Sequence, residues 1–527
     1  MPAIITDQFR ITNAETFSKS LVGIGTTVNE YYTFLGHPNP ENDIPDYGNE
    51  GWGTTDKTPD PKDSFKQENL YYDSMLFLNK IIPEDVARVV PRINWESGIT
   101  YDMYKNNYNI NNKAPNSGAS SLYTSRFYVI TSEFKVYACI NNGSGQDFPK
   151  GKKSTQEPKF ISNSVQVAGD GSDDYLWKYL FTMKPSDIVK FATETFMPLP
   201  NDWGDGDTKD VKDAAVDGKI ETVIIENRGA GYQWGGSSNA TIPNVPIHGN
   251  GEGATADVEI SDGEVVKVTM NTGGSSYTYG TLVFQSGRTY GANELSGPAM
   301  GDSDVATFEV IIPPQGGHGH DIYRELGGLR VMIYSKFESE DDYVTGNDFS
   351  RVGIVKNPTA FGTKTTALNS STATNLGALK LGPNASDTNY PVNSQITQNI
   401  GIGSTAIGYV ASWSKTTGVL RYYQPTGLTN TSNSDYKLLD FSPQGTDKTI
   451  TGDASMEGTA LDIDTTFTNT NTITVGQKII GLGQNFINGK ANPDVEKYSG
   501  EIIYIDNRAP ITRSASQKEE LKIVVEF

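Results

Sequence analysis

The sequence predicts a mainly β protein, a multilayer β-sandwich core with a few short helices and small inserted β domains. Three observations carry this. Short apolar runs are separated by clusters of Gly, Asn, Asp and Pro; helix signals are confined to the first hundred residues; and a β motif recurs in the middle of the chain. Strands punctuated in this way mark sandwiches, whereas alternating βα units would show helical periods between strands.

The helical segments come first. Thr12 and Glu15 have capping-box spacing, and Phe17 and Leu21 fall one turn apart on one face, which predicts a helix over 13–21. Residues 69–80 give a second, because Leu70, Met75, Leu76 and Leu78 can be buried by packing, although Tyr71-Tyr72 disfavours it. Pro83-Glu84-Asp85 opens a further helical turn, which Pro91 must end. Strands follow over 125–130 and 133–140 and, after a Gly/Asp-rich loop, over 175–181.

An internal repeat occupies the middle of the chain. Asp217-Gly218-Lys219-Ile220 leads through Val223, Ile224 and Ile225 to Gly229-Ala230-Gly231-Tyr232. Forty-five residues later, Asp262-Gly263-Glu264-Val265 leads through Val266 and Val268 to Gly273-Gly274-Ser275-Ser276-Tyr277. Each copy has an Asp-Gly turn, a strand, a Gly-rich corner and a Tyr that can cover it. Residues 253–260 and 305–311 read as the returning strands, so 216–312 is an inserted all-β domain of two related units.

A second insertion, 359–494, is low in charge and rich in Thr, Ser and Asn. Residues 405–413 and 418–423 predict a hairpin around Lys415-Thr416-Thr417, and 472–475 a further strand; 364–398 reads as a long surface loop or a mobile arm. In 499–527, Glu501 to Ile505 reads as strand, Asp506-Asn507-Arg508-Ala509-Pro510 as a turn, and Leu521, Ile523, Val525 and Phe527 as one face of a returning strand that pins the end of the chain in a sheet. The segments are therefore 1–215 (core with short helices), 216–312 (insertion), 313–358 (core), 359–494 (insertion) and 495–527 (core strands).

Composition narrows the function. The 527 residues carry 43 basic and 63 acidic side chains, a net charge of −20, which argues against nucleic acid as a partner. The longest basic run, Lys150-Gly151-Lys152-Lys153, lies in a Gly-rich loop. Cys139 is the only cysteine, so no intrachain disulfide forms, and its strand context makes it a small buried hydrophobe. No apolar run of membrane-spanning length and no secretory leader is present, which predicts synthesis in a cytoplasm.

Candidate chemistry is sparse. The Gly229-Ala230-Gly231 and Gly273-Gly274 turns fail the phosphate-loop pattern, because strand-like sequence flanks both and no Gly-Lys-Ser/Thr ending follows. His318 and His320 fall on one side of an extended chain beside Asp321, where a metal is chemically feasible; the simpler reading is a flexible linker, with neither His37 nor His248 spaced as a third ligand. Acid pairs such as Asp173-Asp174 and the run Glu340-Asp341-Asp342 read as solvated loops in so acidic a chain. With no nucleophile elbow, metallopeptidase helix or paired cysteines, the expectation is no enzyme, no catalytic or metal residue, no cofactor and no small-molecule substrate.

Several islands then stand in a recognisable order: Asp7-Gln8-Phe9-Arg10, Val90-Pro91-Arg92-Ile93-Asn94-Trp95, 134–140, 174–181, 349–358, and Ser499-Gly500-Glu501-Ile502-Ile503-Tyr504-Ile505-Asp506-Asn507-Arg508-Ala509-Pro510-Ile511. They resemble the baseplate wedge subunit, encoded by the eighth gene, of T-even-type contractile-tailed bacteriophages. Each island alone is weak; their colinear order argues against chance. The resemblance covers 1–204, 313–358 and 495–527, and the two insertions depart from the family pattern.

The resemblance implies a three-layer β-sandwich, a homodimer, and a place in the virion's tail baseplate, assembled in the host bacterial cytoplasm. It implies binding to other wedge subunits and coupling of baseplate rearrangement to sheath contraction during infection. The loop 38–66 and the two insertions are the interface candidates. The rival reading is a carbohydrate-binding adhesin or tail-fibre-associated module, with Tyr232 and Trp234 as an aromatic platform for glycans; the simpler role for these rings is to cover a Gly-rich corner.

Overall fold

The computed structural model describes residues 5–23, 29–38, 61, 65–299, 301–338, 343–401, 403–424, 439–444, 447–514 and 517–527. Strand predominates among them, and helices are few and mostly short, in keeping with a mainly β fold. No helix among the described residues is long and apolar enough to cross a membrane. Two compact units emerge, one comprising 1–18, 87–332 and 524–527, the other 19–86 and 333–523.

The first unit is built around an antiparallel sheet ordered Tyr128–Ile130, Lys135–Asn142, Tyr175–Thr182, Gln166–Val167. Its two central strands are enclosed on both faces, which explains their nearly continuous apolar sequence. Trp177, Tyr137, Tyr175 and Phe127 fill this core, with Cys139 fully buried among them. The tyrosine hydroxyls bring their own partners into the interior: Tyr137 donates to the Phe160 carbonyl at 2.6 Å and Tyr175 to that of Lys152 at 2.8 Å.

The helices depart from expectation in informative ways. The first is Asp7–Leu21, and Thr12 lies inside it, its hydroxyl donating to the Gln8 carbonyl, so the Thr12/Glu15 spacing is not a cap. The helix is Phe65–Ser74, so 69–80 is helical only as far as Ser74; Met75–Lys80 is a strand, because the apolar run Met75-Leu76-Phe77-Leu78 is buried by pairing with Tyr31–Gly36. Pro83–Asp85 is a single helical turn, as predicted. Helices also occur beyond the first hundred residues, at Pro185–Phe191, Lys209–Asp213 and Ile322–Leu326. They are too short to show a helical period, although Pro185 at the first turn and the Asp321 cap with left-handed Gly327 are legible boundary signals.

The second unit contains a sheet ordered Thr372–Thr374, Met75–Lys80, Tyr31–Gly36, Asp348–Lys356, Glu501–Thr512. Tyr32, Phe34, Leu78 and Val355 form its core. Gly353 is required there, because a Cβ would stand 2.3 Å from the Phe34 ring. The same unit holds a closed six-stranded barrel: Val419–Tyr423, Ser404–Ser414, Gln395–Gly401, Thr449–Gly452, Leu461–Ile463 and Gly377–Gly382, closed by pairing of Gly377 with Tyr422. Its interior is apolar, with Leu379, Ile396, Val410 and Leu420. The predicted hairpin is present in register, Trp413 opposite Leu420.

Two expectations are overturned in this unit. Residues 364–398 are neither loop nor arm: they include Thr372–Thr374, Gly377–Gly382 and the start of Gln395–Gly401. Asp506 to Pro510 do not turn. Glu501–Thr512 is one strand, and its turn-prone residues are absorbed as an irregularity in which Phe349 faces Ile511 while Arg351 faces Asn507. The chain reverses later, and Glu519–Glu526 pairs with Arg330–Phe337.

Candidate functional site

The insertion 216–312 is not two units side by side; each repeat completes the other. The leading strand of the first, Val223–Asn227, pairs with the returning strand of the second, Thr307–Val310, and Val223 faces Val310. The leading strand of the second, Glu264–Ser275, pairs with the returning strand of the first, Glu252–Ser261, and Val268 faces Val258. The bulges match as well, between Thr307 and Phe308 and between Thr255 and Ala256.

The corners are exchanged in the same way. The Ile220 amide donates to the Gly273 carbonyl at 2.9 Å, and that of Val265 to the Arg228 carbonyl at 3.0 Å. Gly218 has φ of 65°, and a Cβ there would stand 2.1 Å from the Tyr277 nitrogen, so only glycine fits. Tyr232 and Tyr277 are 1% and 2% exposed. Tyr232 is therefore no glycan platform: it covers the Gly229 corner, and burial raises its hydroxyl pKa. Trp234 is half-buried, its indole N–H directed to the carbonyls of Tyr290 and Asn293.

Within its own unit this insertion is fastened to the main sheet region. Arg228 pairs with Asp147 at 2.5 Å, Lys105 with Glu309 at 2.5 Å, and the Gln146 amide donates to the Ile225 carbonyl. These residues carry no local sequence signal, because their partners are about eighty to two hundred positions away. Arg10, within the first island, is another such residue: it donates to the Phe527 carbonyl and pairs with Glu526, while Phe17 packs on the Phe527 ring at 5.3 Å.

The His318 segment is ordered rather than a flexible linker. His318 is buried; its Nδ1 lies 2.6 Å from Glu325 Oε1, and the Gly319 amide donates to Oε2 at 2.7 Å. Because a carboxylate accepts, Nδ1 carries the proton. Exposed His320 does not share a ligand set with it, and no group of three or more His, Cys, Asp or Glu among the described residues is arranged to hold a metal ion.

The remaining candidates have structural partners. Burial raises the Cys139 thiol pKa well above its ordinary value, the state of an inert thiol. Asp173 accepts the amides of Thr155, Gln156 and Tyr175, and Asp174 pairs with Lys152 of the basic run. His37 is buried with its ring 3.9 Å from that of Tyr423, and His248 is exposed. Glu340-Asp341-Asp342 and most of the 38–66 loop lie outside the described residues. The buried ion pair of Arg513 and Glu519, 2.8 Å apart, was not foreseen; Arg513 also donates to the carbonyls of Tyr343 and Val344.

No protein-family model matches the chain, and no curated protein matches it.

Proposed function

We propose that the chain is a structural wedge subunit of a contractile phage tail baseplate, acting as a homodimer that binds other wedge subunits and transmits baseplate rearrangement to the sheath. One observation carries the reading. Four of the six islands that suggest the family pair in the fold: 134–140 lies beside 174–181 in one ladder, and 349–358 beside 499–511 in another, although about 140 residues separate the second pair. A shared core interrupted by added β modules has this form.

The attachment of the first insertion suits mechanical work. Ion pairs and backbone hydrogen bonds fasten it within its unit, so force on one part is carried by many contacts. No catalytic turnover is required. The adhesin reading loses its first candidate, since Tyr232 is enclosed.

The test is reconstitution. Mixed with the other wedge subunits of its phage, the purified chain is expected to form a stoichiometric complex by size-exclusion light scattering, and to run as a dimer alone. Persistent lack of association, with a monomeric mass at micromolar concentration, would sink the proposal.

A further inference from the structure

The unit containing 87–332 carries a cleft of about 870 Å³. Its walls come from the start of helix Asp7–Leu21, from 104–123 and from the His318 segment, with Asp217 of the first repeat also lining it. Four carboxylates, Asp7, Asp217, Asp321 and Glu325, face one guanidinium, Arg324. Each acid is already held: Asp7 by Ser121 and an ion pair with Arg10 at 3.6 Å, Asp217 by the Gly316 amide at 2.7 Å, Asp321 by the amides of Tyr323 and Arg324 and an ion pair with the Arg324 guanidinium at 3.5 Å, and Glu325 by His318 and Gly319. Two cations therefore offset part of the charge of the four acids. The negative charge is thus fixed in position before anything binds, which lowers the ordering cost of association.

Acids alone would be a solvated surface; Tyr104 makes the difference. It lines the cleft, is 3% exposed, and packs its ring edge-on to His318 at 4.7 Å. Its hydroxyl makes no hydrogen bond among the described residues and, at the cleft wall, is open to a partner from the cleft.

We propose that this cleft docks an Arg or Lys side chain on an extended segment of a partner protein. The Tyr104 oxygen accepts from the cationic head, and the fixed carboxylates balance its charge. Phosphate and acidic sugars are repelled by the same acids. The inference commits to the chemistry of the segment and stands apart from the wedge reading.

The test titrates the full chain with tetra-arginine and tetra-lysine by calorimetry at low salt, with tetra-glutamate and maltotetraose as controls. A basic peptide is expected to bind with one-to-one saturation, to weaken with added salt, and to lose about tenfold in affinity in Tyr104→Phe and in Asp217→Asn. Both substitutions keep shape, since Phe keeps the ring and Asn keeps an acceptor for the Gly316 amide. A photoreactive form of the peptide is expected to label 104–123. Unchanged affinity in both variants, labelling elsewhere, or no basic-peptide binding would overturn the proposal; preference for maltotetraose would assign the cleft to a saccharide and overturn it equally.

Discussion

The Tyr232 hydroxyl accepts the amide proton of Ala306 at 2.9 Å, and 45 residues on, the Tyr277 hydroxyl accepts that of Ala254 at 3.2 Å. In each case the tyrosine and the amide belong to different repeats. Two copies of one sequence motif have become one folding unit, because each copy lacks the strand and the corner that the other supplies.

Removing either half should therefore unfold both. Tyr232→Phe is expected to cost about 1–2 kcal/mol by leaving a buried amide unpaired, as is Tyr277→Phe. Deleting 217–261 should abolish the fold of 262–312 altogether. Denaturant titration checks the substitutions, and an NMR spectrum of the truncated insertion with dispersed amide signals would refute the interlock.

The glycines offer a sharper contrast. Gly218 and Gly231 both have positive φ, but only Gly218 would drive a Cβ into backbone, while Gly231 faces open space. Gly231→Ala should cost about 1–2 kcal/mol from backbone strain alone. Gly218→Ala should cost clearly more. Equal losses of melting temperature would contradict this.

Acid should destabilise the second unit through His37. Burial, its main cause, lowers the pKa of this imidazole to about 4 from 6.5; the Pro38 carbonyl opposes it in part, and repulsion from Arg351 adds a smaller lowering. The unfolded chain takes up the proton at the higher pH, so the stability from keeping the ring neutral is complete above 6.5 and is lost as pH falls towards 4. The loss approaches about 3 kcal/mol. His37→Phe keeps a ring against Tyr423 and should flatten that part of the stability profile; an unchanged slope between pH 6.5 and 4 would exclude His37 as its source.

Breaking the buried pair of Arg513 and Glu519 should be severe. Arg513→Ala leaves an enclosed carboxylate without its cation and is expected to cost about 3–5 kcal/mol. Thermal unfolding of this variant beside Arg508→Ala, whose side chain is exposed, measures the difference.

The barrel should be removable, but only at the right joints. Ala378 pairs with Ala491, so the chain enters and leaves the barrel at adjacent points. Excising 377–492 with a short linker should leave the remaining sheet folded. Excising 359–494 should not, because it takes away Thr372–Thr374, an edge strand of that sheet, together with core residues Leu368 and Ala373. Circular dichroism and melting of the two deletions would separate them.

How much of this was legible in advance depended on the range of the forces involved. The β class, the strands around Cys139 and Trp177 and the repeat follow from local patterning, since alternation and Gly-Asp turns act over a few residues. Met75 to Leu78 could be read either way, because a short apolar run fits helix and strand alike, and only pairing with Tyr31–Gly36 decided it. Asp506 to Pro510 carry turn-forming side chains yet run straight, because the ladder to Asp348–Lys356 outweighs their local preference. The cleft at Tyr104, the anchoring of Arg228 on Asp147 and the exchange between repeats join residues far apart in sequence. Sequence by itself therefore determined the β class, the strands with clear local patterning and the existence of the repeat. Tertiary structure alone decided which strands pair, which tyrosines are enclosed and where charges meet, because those outcomes depend on long-range burial that no local pattern encodes.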